Sequence, residues 1–250
     1  MADPSELWLL CLLGVCAGAL IGCVGIGGVI IVPALVYLLD VPVHTAIAAA
    51  MFAFLMSGIV GTAVFSHARS IRWDMTGWMW AGAIPAAFVG ALLASVTAAV
   101  VIEAGVGMLA ACSGVHALLG SRRADPEHDA VVPKQVLCAA GAFTGVASAL
   151  TGTGGPLVLI PILVWRELPV LLAIGLAQAI QLPIAILATA GNAIAGTLDI
   201  AAGATIGLGI VAGTWAGARL AHALPRTRLR QAVALLLVVV GASILARLVL

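Results

Sequence analysis

The stretch Gly25-Ile-Gly-Gly-Val-Ile-Ile-Val-Pro33 lies near the middle of a long apolar run, and Gly152-Thr-Gly-Gly-Pro-Leu-Val-Leu-Ile-Pro161 lies near the middle of another. The offset between the two stretches is 127 to 128 residues. The same offset, or one shortened by a two-residue gap, gives further pairs: Pro42 with Pro169, Gly90 with Gly217, Asp74 with Asp199, and Gly82 with Gly207. Matches in the same order along two halves of similar length indicate an internal repeat.

The composition excludes a water-soluble globule. The 250 residues are 63% hydrophobic and 8% charged, whereas a soluble domain is about 25% charged. A bilayer crossing needs about 20 mostly apolar residues. Stretches of at least that length without Asp, Glu, Lys or Arg cover residues 7–39, 75–102, 135–165 and 168–198. We therefore expect an all-α polytopic membrane protein embedded in lipid, and the net charge of +1 makes nucleic acid an unsuitable partner.

The repeat predicts one integral membrane domain over residues 1–250, with repeat one at 7–120, a polar linker at 121–133 and repeat two at 134–249. Each repeat opens with an apolar stretch that is interrupted by its glycine cluster, so we expect two shorter helices there. The second helix of each pair would be only about 16 Å long. Three full spans follow in each repeat. The predicted helices are 7–23, 29–39, 43–66, 73–95 and 99–119, then 135–150, 156–166, 170–192, 199–221 and 229–249.

The basic residues decide between two topologies. If each broken stretch crosses the membrane once as a kinked helix, Lys and Arg divide six to five between the two sides. If each broken pair is a re-entrant hairpin, every Lys and Arg except Arg247 falls on a single side. Cytoplasmic loops collect Lys and Arg. We therefore predict two inverted repeats, with the linker 121–133 cytoplasmic and both termini periplasmic or extracellular.

The glycine breaks predict a binding site for a small anion. Irregular backbone persists at membrane depth only where it is buried in protein or lines a cavity. In an inverted repeat, the helix N-termini that begin at Val29 and Leu157 approach the midplane from opposite sides and can converge. Their first-turn N–H groups bind anions without a charged side chain. The alternative is that the glycines only allow tight helix contact, which does not explain two clusters at equivalent places, each followed by a proline.

The predicted substrate-binding residues are of two kinds. Those at the breaks are Gly25, Gly27, Gly28 and Val29 in the first half and Thr151, Gly152, Thr153, Gly154 and Gly155 in the second. The others are Gln178, Gln181 and Asn192, which helical spacing places on one face of the span 170–192, where we expect them to line the path. The alternative for these three side chains is interhelical hydrogen bonding without a ligand.

The ionisable residues favour an anion over a cation. Five ionisable residues within or beside the predicted spans all lie near a span end: His44, Asp74, Glu103, His116 and Asp199. A cation site or a proton relay would ordinarily need a carboxylate at mid-span. We expect no metal and no cofactor, because the five cysteines lack ligand spacing and no GxxxxGK[ST] motif is present. We also predict that the protein is not an enzyme, since only Cys112 and His116 pair a nucleophile with a base.

The duplicated glycine cluster with its following proline, in a membrane chain of this length, resembles the TauE/SafE family of sulfite exporters and related permeases. The resemblance covers nearly the whole chain, although Val29 and Pro156 stand where family members often have a third consecutive glycine. It implies a secondary permease of the bacterial inner membrane, acting as an exporter of small sulfur-containing anions such as sulfite, sulfoacetate or another organosulfonate, or thiosulfate.

Two alternative functions differ from this one. A passive anion channel could use the same helix dipoles, but it would need weak, repeated sites along an open pore. A permease for another small carboxylate or inorganic anion would use the same site. A coupling proton or ion and assembly into a homo-oligomer are further partners that the sequence leaves open.

Overall fold

The computed structural model describes residues 4–93, 132–194 and 196–249, together with scattered helical positions between 104 and 119. Most of the predicted linker therefore lies outside the described residues. Within the described parts the chain forms nine helices and no strand: α1 (Pro4–Val24), α2 (Gly28–Leu38), α3 (Val43–His67), α4 (Trp73–Leu93), α5 (Lys134–Thr151), α6 (Gly155–Trp165), α7 (Val170–Ile194), α8 (Ile200–Ala223) and α9 (Arg226–Val249). The all-helical prediction is confirmed, and for the nine described helices the observed ends lie within a few residues of the predicted ones. The predicted helix at 99–119 lies mostly outside the described residues.

Both predicted breaks are present, and glycine conformation explains them. Helix α1 ends at Val24 and is followed by Gly25 with φ +78°, and α5 is followed by Gly152 with φ +66°. Side chains other than glycine rarely adopt such angles. After α1 the chain folds back on itself. Gly27 lies so close to α1 that a Cβ on it would meet the carbonyl oxygen of Ala17 and the Ile21 side chain.

Each half places its first helix against the fourth helix of the other half. Helix α1 packs along α8, where Gly14 faces the Ile206 carbonyl and Gly18 faces Ile210. Helix α5 packs along α4 through the equivalent residues 127 positions away, with Gly141 against Met79 and Gly145 against Ala83. Both pairs run parallel, since the residue numbers rise together. Small residues allow this close approach of backbones.

Helices α3 and α7 pack against each other in antiparallel orientation. Gly58 of α3 approaches Leu182 of α7, whereas Gly61, one turn further along, approaches Gln178. The residue numbers therefore run in opposite directions. Helix α3 also runs parallel to α8, because Gly203 meets Ala49 and Phe52 while Gly207 meets Met56.

The contacts disagree with the two pairs that relied on a two-residue gap, Gly82 with Gly207 and Asp74 with Asp199. A Cβ on Gly82 would meet the Cys138 carbonyl, and a Cβ on Gly209 would meet the Cys11 carbonyl, which is the same contact shifted by 127 residues in both partners. The structural counterpart of Gly82 is therefore Gly209 and not Gly207. The first residues of α4 and α8, Trp73 and Ile200, are likewise 127 apart, so the gap that paired Asp74 with Asp199 is not present.

Five segments in the described part of the chain are long and apolar enough to cross a membrane. They are Leu7–Val24, His44–His67, Val170–Ile194, Ile200–Ala223 and Thr227–Arg247. Helices α2 and α6 have 11 residues each and would be only about 16 Å long. They are therefore too short to cross alone.

Candidate functional site

The two glycine breaks meet at one pocket in the interior of the bundle. Its first-half lining comes from the end of α1, the first glycine break, the start of α2 and α3, and its second-half lining comes from the second break, the start of α6 and α7. The lining residues are Ile21, Gly25, Ile26, Gly27, Gly28, Phe54, Thr153, Pro156, Leu157 and Gln181. The breaks are in direct contact, since a Cβ on Gly28 would lie 2.9 Å from the Thr153 carbonyl oxygen.

Two helices begin at the pocket without a side-chain cap. The residue before α2 is Gly27, and the residue before α6 is Gly154, whose φ of 73° and ψ of 152° require glycine. Neither glycine can offer a capping side chain. Pro156, in the first turn of α6, lacks an N–H that would in any case have no helical acceptor. The first-turn N–H groups of both helices give this region a positive potential.

Phe54 of α3 and Gln181 of α7 lie where the two halves meet. They are 127 residues apart and are hydrogen-bonded to each other, with Gln181 donating from Nε2 to the Phe54 carbonyl oxygen at 2.7 Å. The Phe54 ring lies between the breaks, because a Cβ on Gly28 would be 2.6 Å from Phe54 Cζ and a Cβ on Gly154 would be 3.4 Å from Phe54 Cδ2. Both residues are almost fully buried.

No charged side chain lines the pocket among the residues that the structure describes. The site therefore consists of apolar side chains, glycine backbone, the Thr153 residue and one amide. Such a surface supplies hydrogen-bond donors from the backbone at the helix starts and little else that is polar. Chemically it suits a small anion that is held by dipoles, and it lacks the carboxylates with which proteins hold cations in a membrane.

The other predicted residues lie at varying distances from this pocket. Gly152 packs against Ile47, and Gly155 packs against Ile180 and Thr144. Helix α2 includes Val29 and helix α5 ends at Thr151, but these two side chains are outside the described part of the structure. Part of each break therefore lines the pocket, but not every predicted residue is among the lining residues.

Gln178 and Asn192 do not line the pocket. Gln178 donates from Nε2 to the Ile21 carbonyl oxygen at 2.8 Å and so ties α7 to the last turn of α1. Asn192 lies 11 residues beyond Gln181, about 16 Å along the helix. Its carbonyl oxygen accepts hydrogen bonds from the backbone N–H and the hydroxyl of Thr197 at the end of α7.

The predicted binding residues did not include five of the residues that line the pocket: Ile21, Ile26, Phe54, Pro156 and Leu157. These are apolar residues within apolar spans, so no local pattern distinguishes them from lipid-facing or core positions. For Phe54 the repeat itself carried a signal, because the offset of 127 pairs it with Gln181. For Ile21 and Ile26, which lie beside and within the first break, the only signal is their closeness to the glycines in the sequence.

Comparison with known proteins adds one match. The model of the sulfite exporter TauE/SafE family matches residues 10–244, which is nearly the whole chain. No curated protein and no solved structure matches the chain.

Proposed function

The chain belongs to the TauE/SafE family of sulfite exporters, and from this premise we propose that it is a secondary permease that binds a small sulfur-containing anion between its two glycine breaks. The family is one of membrane transporters, so the protein is a membrane protein with an anion as its substrate class. Sulfite, sulfoacetate or a related organosulfonate, and thiosulfate are the proposed substrates, and export is the proposed direction.

The observation that carries the proposal is the convergence of two uncapped helix starts on one uncharged, buried pocket. The starts of α2 and α6 come from different halves of the chain, and Gly28 of one touches Thr153 of the other. Two helix dipoles that point their positive ends at one place favour a negative charge there. A channel would instead need a series of weak sites, and the described residues supply one meeting point.

We propose further that the two halves form an inverted repeat. Several contacts between a residue of the first half and a residue of the second recur between the residues that the offset of 127 relates to them. Gly25 touches Ile174 and Gly152 touches Ile47, for example. Such reciprocal contacts are those of a two-fold axis. Because α3 and α7 are equivalent and antiparallel, the axis must be perpendicular to them, and this supports opposite orientations of the halves in the bilayer.

This arrangement would place the sequence from Asp40 to Val41 outside a bacterial inner membrane and the basic loops inside. The proposal rests on the fold-back at Gly27 and on the distribution of Lys and Arg. Alternating access would then come from movement of one half against the other, about the pocket where they meet.

Counterflow in reconstituted vesicles tests the permease. Purified protein is placed in liposomes loaded with unlabelled sulfite, and the entry of labelled sulfite is followed after dilution. A carrier is expected to accumulate label transiently above equilibrium. The trapped unlabelled sulfite moves outward on the carrier and competes with the entered label for exit. Thiosulfate, sulfoacetate, taurine, sulfate and chloride, loaded in turn, rank the substrates.

Protein-free liposomes and liposomes that contain an unrelated membrane protein are the controls. Label that equilibrates without overshoot would indicate a channel. Absence of flux and of counterflow with every anion, in protein that remains monodisperse, would refute the proposal.

A further inference from the structure

The Gln181 side chain presents an acceptor to the pocket. Its Nε2 donates to the Phe54 carbonyl oxygen at 2.7 Å, and a carbonyl oxygen can only accept. The opposite orientation of the amide would place two acceptor oxygens against each other. The partner therefore fixes which end of the amide is which, and Oε1 is the atom left for the pocket.

The position of Oε1 agrees with this orientation. Gln181 lines the pocket and is 2% exposed, so its amide has little access to bulk water. Its Oε1 lies 3.8 Å from the place that a Cβ on Gly154 would occupy, beside the start of α6. Helix α6 has no side-chain cap, so Oε1 lies next to this helix start without accepting a hydrogen bond from it.

A buried acceptor is unfavourable for an anion unless the anion brings a donor. A polar group that loses water without gaining a partner costs roughly 1–3 kcal/mol, and an anionic oxygen facing Oε1 would add repulsion. The uncapped helix starts supply donors for the negative oxygens of a ligand. The pocket therefore combines donors for a negative charge with one acceptor for an O–H or N–H group.

We infer that Gln181 Oε1 selects anions that carry a hydrogen-bond donor. Among sulfur oxyanions these are hydrogen sulfite and sulfonates with a hydroxyl or ammonium group. The sulfite and thiosulfate dianions and simple alkanesulfonates, which carry no donor, should bind less tightly. The inference rests on the proposed function, because it assigns the substrate class of the same pocket.

The test compares two permanent monoanions of nearly equal size, 2-hydroxyethanesulfonate and ethanesulfonate. Their affinities are measured by competition against labelled sulfite binding to the purified full chain at one pH. One additional hydrogen bond should make the hydroxylated anion about two- to twelvefold tighter. In Gln181→Met, which keeps an unbranched side chain without an acceptor, the ratio of the two affinities should fall to about one.

Gln178→Met is the matched control. Gln178 lies one turn away on the same helix and makes the same kind of bond to a backbone carbonyl, but it does not line the pocket, so this variant should keep the wild-type ratio. Equal affinity of the two anions for the wild type would overturn the inference while leaving anion binding intact, and this comparison needs no variant to fold. A preference that persists in Gln181→Met would also overturn it. Failure of every anion to compete, or of sulfite to bind, would overturn both the inference and the proposed function.

Discussion

Glycines at the two breaks serve different purposes, and their geometry separates those purposes. Gly154 has a positive φ, but a methyl group there would meet only Phe54 and Gln181 at ordinary contact distances. Gly27 has φ −148°, which any residue can adopt, yet a methyl group would collide with the Ala17 carbonyl. Substitution at Gly154 therefore probes the pocket and its backbone, whereas substitution at Gly27 probes the packing of α2 on α1.

Gly154→Ala is expected to weaken anion binding in protein that still folds. The combination of φ 73° and ψ 152° is essentially restricted to glycine and costs another residue about 1–3 kcal/mol, and relaxation to another conformation would turn the α6 start away from its present position. An equilibrium shifted by that amount corresponds to roughly a 5- to 150-fold loss of affinity. Competition binding of sulfite to the purified variant measures it.

Gly196→Ala is the control for backbone strain alone. Gly196 has φ +71°, close to that of Gly154, but it is exposed and a methyl group there would meet nothing within 4 Å. Its anion affinity should equal that of the wild type. Equal losses of affinity in the two variants, or wild-type affinity in both, would remove Gly154 from the site.

Among the polar residues of α7, the sequence predicted a face and could not predict its use. Gln178, Gln181 and Asn192 do share a helix, but the Gln178 amide bonds to the end of α1 and the Gln181 amide to the middle of α3. At Asn192 it is the backbone carbonyl that accepts, from Thr197 just beyond α7. Helical spacing orders side chains around an axis, whereas the pocket occupies only a short length along it. The glycine clusters were more informative because a break in an apolar helix has few structural causes.

At the scale of helices, glycine and alanine faces hold the two parallel pairs together. Gly82 of α4 faces the Cys138 carbonyl of α5 and lies 2.9 Å, measured from an ideal Cβ, from the Ala142 nitrogen. Backbone atoms cannot move aside as a flexible side chain can. We therefore expect Gly82→Ala to lower the stability of the protein by about 1–3 kcal/mol through overpacking.

Gly77→Ala on the same helix is the matched control for that prediction. Gly77 is exposed and an added methyl group would meet nothing within 4 Å, so the change should be neutral or should stabilise by up to about 1 kcal/mol through helix propensity. Thermal unfolding of the detergent-solubilised variants, followed by loss of the monodisperse species, compares the two. A Gly82→Ala protein as stable as Gly77→Ala would mean that α4 and α5 are not in close contact.

Helix limits were predictable to within a few residues because this sequence marks them chemically. Proline precedes α3 and α5, a glycine follows α1 and α5, and Asp199 caps α8 by accepting a hydrogen bond from the Ala202 N–H. The pairing of helices was not predicted. Most helix faces in the described spans are apolar and rich in small residues, so composition does not say which faces meet. The pairing of Gly82 with Gly207 in the repeat was wrong because, without contacts, neighbouring glycines in such faces cannot be told apart.

At the scale of the whole molecule, contacts that recur at an offset of 127 residues bring the two glycine breaks together at one pocket. No charged side chain among the described residues lines this pocket, so its positive potential comes from the helix starts. In the proposed inverted repeat the two breaks are equivalent, and a two-fold axis near the Phe54–Gln181 contact would bring both helix starts to a similar depth.

Phe54 and Gln181 are 127 residues apart, but the pocket is symmetric neither in side chain nor in backbone, because Gly27 has φ −148° whereas Gly154 has φ 73°. Both helix starts supply backbone donors, although Pro156 has no N–H where Val29 has one, and only the second half adds the amide acceptor of Gln181.

Membrane topology is the prediction that tests this arrangement. Single cysteines at Asp40, Ala68 and Glu167, which are exposed loop positions, are introduced into a background without the five native cysteines and treated with an impermeant thiol reagent in intact cells. The inverted repeat places position 40 outside and positions 68 and 167 both inside, because each hairpin returns to the side from which it entered. Kinked single crossings would place 68 and 167 on opposite sides. Labelling after permeabilisation shows that each cysteine is reactive, so that protection in intact cells reports location. A pattern in which exactly one of positions 68 and 167 is labelled from outside would exclude the hairpins, and with them the approach of the two helix starts from opposite faces of the membrane.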